Sequence, residues 1–119
     1  MSEKRIYHIV PSDVWEEALE DGVYRADTLD AEGFIHLSKR EQVVTVANVR
    51  FNGHNGLLLL EVDPARVEAE LKYEAPYEDP TSAERFPHLF GPLNLDAVIA
   101  AHPFEPGADG RFELPEKLG

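Results

Sequence analysis

Three of the five histidines sit where a side chain can be held in place. His8 and His36 lie inside short apolar runs, and His88 stands between Pro87 and Leu89, whereas His54 falls in a Gly-rich turn and His102 precedes Pro103. Imidazole donates, accepts and titrates near neutrality, so rings held at strand positions are candidates for hydrogen bonding or proton transfer to a ligand. The densest polar motif is Gly33-Phe34-Ile35-His36-Leu37-Ser38. If it is extended, Phe34, His36 and Ser38 share one face and Ile35 and Leu37 the other, because side chains alternate along a strand. A helix following at once adds free backbone N–H groups, and this combination suits a phosphate, a diphosphate or a hydroxyl-rich ligand.

Ser38 has a second reading. Ser38-Lys39-Arg40-Glu41 matches the S-x-x-E capping box, so its hydroxyl serves as a helix cap, as a ligand contact, or as both. Tyr24, Phe34, Phe86 and Phe90 are aromatic rings able to stack on a flat ligand or to fill a core. Among the acids, Glu61 and Asp63 read as solvated, and Glu74, beside Tyr73, is the one placed to act near a site. The neighbouring cations Lys39, Arg40 and Arg85 read as surface residues.

Other chemistries are disfavoured by pattern. The chain has no cysteine, which removes disulfides, thiolate nucleophiles and zinc-thiolate sites and fits a reducing compartment. No H-x-x-x-H or H-x-H spacing occurs, so no metal is expected, although a site built from His8, His36 and His88 is chemically allowed. Ser38 and His36 lack an orienting acid and a nucleophile elbow, and no G-x-S-x-G, Walker or G-x-G-x-x-G pattern is present.

The elements that must position these residues follow from periodicity. A first strand is expected over residues 6–10, then a helix started by Ser12 or Asp13, with Glu16 completing a capping box, and ended by Gly22. Its apolar stripe is Val14, Trp15, Ala18 and Leu19. A second helix carries Val43, Val44, Ala47 and Phe51 at helical spacing behind Ser38. The apolar run at residues 57–62 reads as a strand buried on both faces and the centre of the sheet. Residues 71–74 form another strand, followed by a Pro-containing loop to residue 85. Pro87 and Pro92 argue against a central strand over residues 86–93. Residues 98–104 and 111–114 read as a closing hairpin.

At 119 residues, 43% apolar and 29% charged, with no linker or repeat, the chain reads as a single domain, 1–119. Its 23 acidic against 11 basic side chains give a formal charge of −12, which disfavours non-specific nucleic-acid binding. A small phosphate-bearing ligand remains compatible, because salt screens distant charge within about 10 Å. The charged start at residues 1–5 carries no apolar signal core, and the longest aliphatic run, residues 57–60, is far short of the about 20 residues that span a bilayer. A cytoplasmic protein with no membrane partner is expected.

Several blocks together resemble a known family: Ile6-Tyr7-His8, Trp15, Gly22-Val23-Tyr24, the E-G-F-I-H-x-S block at residues 32–38 with Gln42, and the F-P-H-x-x-G-P-L block at residues 86–93. The chain is similar, from about Ile6 to Val98, to the bacterial family of unknown function numbered 952. More distantly, the first-strand histidine followed by His36-Leu37-Ser38 resembles the opening of RNA 2′-phosphotransferases and other proteins of the ADP-ribosyltransferase fold. That resemblance implies an α+β fold with an ADP-ribosyltransferase-like split mixed sheet and two or three short helices. It implies NAD or an ADP-ribose- or phosphate-bearing ligand, with His8 in the first motif and His36 and Ser38 in the second. His88 stands in the third motif, where many transferases place a glutamate, and Glu74 is the nearest acid. On this reading His36 and His88 are catalytic, and His8, Ser38, Tyr24, Glu74 and Phe90 contact the ligand. A non-enzymatic module that keeps the pocket, and a histidine metal-dependent hydrolase, are the alternatives.

Overall fold

The structure, a computed structural model, describes residues 4–118; the first residues of the charged start lie outside the described residues. In chain order the elements are β1 (Ile6–Pro11), α1 (Ser12–Asp21), β2 (Val23–Tyr24), α2 (Asp27–Glu32), β3 (Ile35–His36), β4 (Ser38–Lys39), α3 (Arg40–Arg50), β5 (Leu57–Val62), β6 (Leu71–Glu74), β7 (Phe86–Leu89), β8 (Leu93–Asn94) and β9 (Val98–Phe104). The strands form a four-stranded sheet β4-β1-β5-β9, a three-stranded sheet β3-β7-β6 and the pair β2-β8. The described residues form an α+β architecture with three α-helices. Every described strand pair is antiparallel, so the expected mixed sheet is instead a set of antiparallel sheets.

β5 is the internal strand that its apolar run predicts. Leu60 and Val62 pack on one face with Ile6, Val10, Trp15 and Ile35. Leu57 and Leu59 pack on the other with Tyr7, Val43, Ala47 and Phe104. Alternation by two sends successive leucines to opposite cores, which is why an unbroken aliphatic run suits this position. α3 covers the second core through Val43 and Ala47, so burial outweighs the modest helix penalty of its valines.

The split between sheets falls inside the polar motif. His36 belongs to β3 and pairs with His88, whereas Ser38 belongs to β4 and pairs with Tyr7. Leu37 is the joint: its side chain is buried and its N–H donates to the Pro87 carbonyl at 3.0 Å.

Four local expectations are corrected. β7 is the central strand of its sheet despite Pro87. In an antiparallel strand a residue's N–H and C=O face the same edge. The Pro87 carbonyl faces Leu37, just past the last β3 pair, so its missing N–H removes no ladder bond toward Tyr73 on β6. Residues 111–114 form no strand; Phe112 is instead fastened to α3, its N–H donating to Asn48 Oδ1 at 2.7 Å while its ring packs on Phe104. α1 starts without a side-chain cap, because Pro11 occupies the N-cap position and Asp13 reaches only the Val14 N–H. Of the α1 stripe, Trp15 and Ala18 are buried but Leu19 is 55% exposed.

α2 is a short helix that the apolar periodicity does not announce, since it buries no residue. It ends at Gly33, whose φ of +93° lies in the left-handed region, with its N–H bonded to Thr28 and Leu29 carbonyls. A Cβ there meets nothing within 4 Å, so Gly33→Ala carries only the conformational penalty. It is expected to lower stability by about 1–2 kcal/mol in urea denaturation without changing the slope.

Candidate functional site

β1 brings His8 between the two halves of the split. Its Nδ1 lies 2.6 Å from the His36 carbonyl and its Nε2 2.8 Å from the Tyr24 hydroxyl. A carbonyl only accepts, so Nδ1 carries the hydrogen and donates. Burial, with a smaller contribution from the neighbouring His36 charge, outweighs that hydrogen bond and lowers the His8 pKa to about 4. The ring is therefore neutral at pH 7, Nε2 accepts, and Tyr24 O–H donates to it. Burial raises the Tyr24 pKa, chiefly through desolvation, which keeps the phenol in the donating form.

β3 and β7 hold the other two histidines opposite each other, with ring centroids 5.5 Å apart. Each is paired with a carboxylate. The left-handed turn at Gly33 reverses the chain so that Glu32 Oε1 comes 2.6 Å from His36 Nε2. Glu74, at the end of β6, comes 2.9 Å from His88 Nδ1. With the carboxylates accepting, opposite ring nitrogens are left over: Nδ1 of His36 and Nε2 of His88. Phe34 stacks on His88 at 4.1 Å and 22°, and its ring also lies 4.7 Å from His36, so one buried phenyl wedges both imidazoles in position.

Ser38 does not cap α3. Lys39 occupies the N-cap position, and Gln42 Oε1 accepts from its backbone N–H at 2.9 Å, one residue later than the S-x-x-E pattern places the box. The Ser38 hydroxyl is left without a hydrogen-bond partner among the described residues. Ser38 is only 6% exposed, yet every fully buried described side-chain nitrogen or oxygen has a partner, so this Oγ opens onto the adjoining cleft.

That cleft has a volume of about 430 Å³, inside the approximate 300–1,000 Å³ range of small-molecule sites. His8, Tyr24, His36, Ser38 and His88 line it together. Glu74 and Phe90 do not line it. Glu74 is hydrogen-bonded to His88, and the Phe90 ring lies 5.3 Å from that of Phe34. The lining also includes Asp27, Glu32, Val46, Val49, Arg50 and Tyr77, none of which the sequence reading singled out for a site. The signal available for Glu32 is its place four residues before His36, just ahead of a glycine. Arg50 and Glu78, from opposite sides of the cleft lining, form an ion pair. Among the described residues no group of three or more His, Cys, Asp or Glu is placed to hold a metal ion, and no helix is long and apolar enough to cross a membrane.

Compared with known proteins, the chain matches over residues 9–101 the model of the family described as Protein of unknown function (DUF952). The chain belongs to that family. The DUF952 match begins one residue after His8 and takes in Tyr24, His36, Ser38, Glu74 and His88. The crystal structure of CC0527 from Caulobacter crescentus is 34% identical over 97% of this chain and 98% of that one, with a TM-score of 0.85. The crystal structure of a double mutant of CC0527 gives the same values, and the solution NMR structure of CC0527 is 33% identical with a TM-score of 0.78 over 97% of both chains. No curated protein matches the chain.

Proposed function

We propose that the cleft of this DUF952 protein binds NAD or another ADP-ribose-bearing ligand and transfers the ADP-ribose unit to an acceptor. The observation that carries this reading is the convergence of His8, His36 and His88 at the split between two sheets, with an unpartnered Ser38 hydroxyl beside them. The sequence resemblance assigns those residues to the first, second and third motifs of an ADP-ribosyltransferase-like fold, and the split-sheet arrangement is read in the same way. His8, locked neutral between the His36 carbonyl and Tyr24, orients the ligand without adding charge.

The chemistry this supports is cleavage of the ribose C1′–nitrogen bond. Its electron pair leaves with nicotinamide, which departs neutral, and positive charge builds on the ribose. Glu32, a cleft-lining carboxylate joined to His36, supplies a negative charge to stabilise it, and Glu74 bears on it only through His88. The acceptor's lone pair then forms the new bond to C1′, and His36 receives the acceptor's proton at Nδ1. Among the described lining residues Arg50 is the one Lys or Arg, and it is paired with Glu78.

Calorimetric titration with NAD and with ADP-ribose tests the reading. Heat with either at millimolar ligand supports it, and no heat with both removes it. Release of nicotinamide from NAD then separates a transferase from a binding module that keeps the pocket without the chemistry.

A further inference from the structure

We infer that the α3 side of this cleft is a subsite for a small apolar amine. Its role as acceptor rests on the transfer proposed above, whereas the ligand chemistry rests on separate observations. α3 presents apolar residues on two sides. Val43 and Ala47 are buried against the sheet, yet Val46 and Val49 face the cleft, and Val49 is 77% exposed. Phe51 at the helix end and Tyr77 from the loop across it continue this apolar wall. An apolar body laid against it removes that surface from water, which is favourable.

Charge selects what the apolar body carries. Three carboxylates line the cleft: Glu32 is held by His36, Glu78 by Arg50, and Asp27 makes no ion pair or hydrogen bond among the described residues. Among the described lining residues Arg50 is the only Lys or Arg, and it is already paired. An ammonium group is attracted to Asp27, and a carboxylate or phosphate in its place is repelled. The Ser38 Oγ, on a side chain more than nine-tenths buried and without a partner, opens onto the same cleft as a neutral acceptor for an ammonium N–H. The formal charge of −12 acts in the same direction, concentrating cations near the mouth. In the transfer, the ammonium gives one proton to His36. The neutral nitrogen forms the bond to C1′ as nicotinamide leaves with its electron pair, and the second proton passes to solvent.

The test is an NMR titration of the ¹⁵N-labelled full chain with benzylamine, benzyl alcohol and benzoate. Benzylamine is expected to shift amides at residues 27–28 and 45–51 and to bind about tenfold more tightly than benzyl alcohol, with benzoate not binding. Asp27→Asn is expected to remove the amine's advantage while leaving the alcohol unchanged. Val49→Lys, at an exposed position that tolerates the change, is expected to abolish amine binding. Equal affinity of amine and alcohol, benzoate binding at the same amides, or an unchanged ratio in Asp27→Asn overturns the inference. A parallel NAD titration keeps the two readings apart. Amine binding without NAD binding removes the transferase reading and leaves the amine subsite. NAD binding without amine preference removes the subsite alone.

Discussion

Between pH 7 and pH 4 the protein is expected to lose roughly 3 kcal/mol of folding stability through His8 alone. The folded pKa of about 4 lies below the ordinary 6.5, because burial disfavours the charged ring. In that interval the unfolded chain takes up a proton that the folded chain refuses. The contribution is fully present above pH 6.5 and is lost as the pH falls through about 4. Protonation also removes the Nε2 lone pair that Tyr24 donates to, so the cleft loses a hydrogen bond along with stability. His8→Gln keeps a donor and an acceptor but does not titrate, so its stability curve is expected to be flatter over the same window. Urea melts at pH 4, 5, 6 and 7, followed by the single, buried Trp15, check this. Parallel acid losses in wild type and His8→Gln would place the sensitivity on other groups.

That prediction depends on a contact the sequence could not supply. Elements with strong local signatures were legible: the β-branched first strand, the Gly22 helix stop, the aliphatic β5 run and the α3 spacing all return in the structure. What was not legible was mostly set by tertiary pairing. Pro87 reads locally as a strand breaker and is tolerated because its nitrogen faces away from β6, toward Leu37 just past the last β3 pair. Phe112 reads as strand and is held by Asn48, 64 residues away in sequence. α2 buries nothing, so no apolar period marked it.

The site divides along the same line. His8, His36 and Ser38 stand out in the sequence because they are polar residues inside apolar, strand-like segments. Whether His88 joined them depended on the register of β3 against β7, which no short motif encodes. The carboxylate partners show the same limit. Glu74 reads in the sequence as a ligand contact rather than as a partner of His88, and Glu32 depends on a left-handed turn whose consequence appears only in three dimensions. Ser38 went the other way, since the S-x-x-E pattern supplied a structural role that Lys39 and Gln42 take instead.

If the two imidazoles work as an acid–base unit, His36→Ala is expected to slow nicotinamide release from NAD by about 10²–10⁴-fold, the range for loss of a positioned proton-transfer group. His36 has a side chain 30% exposed, so the variant is expected to fold. His88 is buried, and the informative change there is His88→Asn, whose amide N–H still reaches Glu74 while the ring nitrogen left over for the cleft disappears. The ring centroids lie 5.5 Å apart and Phe34 touches both, so the two effects should not multiply. The double variant is expected to be no slower than His36→Ala by more than a few fold, with kcat lowered rather than KM raised. Fully multiplicative losses would mean that the rings act independently. A rise in KM alone, with kcat intact, would move both histidines from proton transfer to ligand binding. Glu32→Gln separates these cases further, because its amide oxygen still accepts the Nε2 hydrogen and holds the ring while the negative charge is gone. A rate loss in that variant, with NAD affinity retained, assigns Glu32 to charge stabilisation at the ribose rather than to orientation of His36.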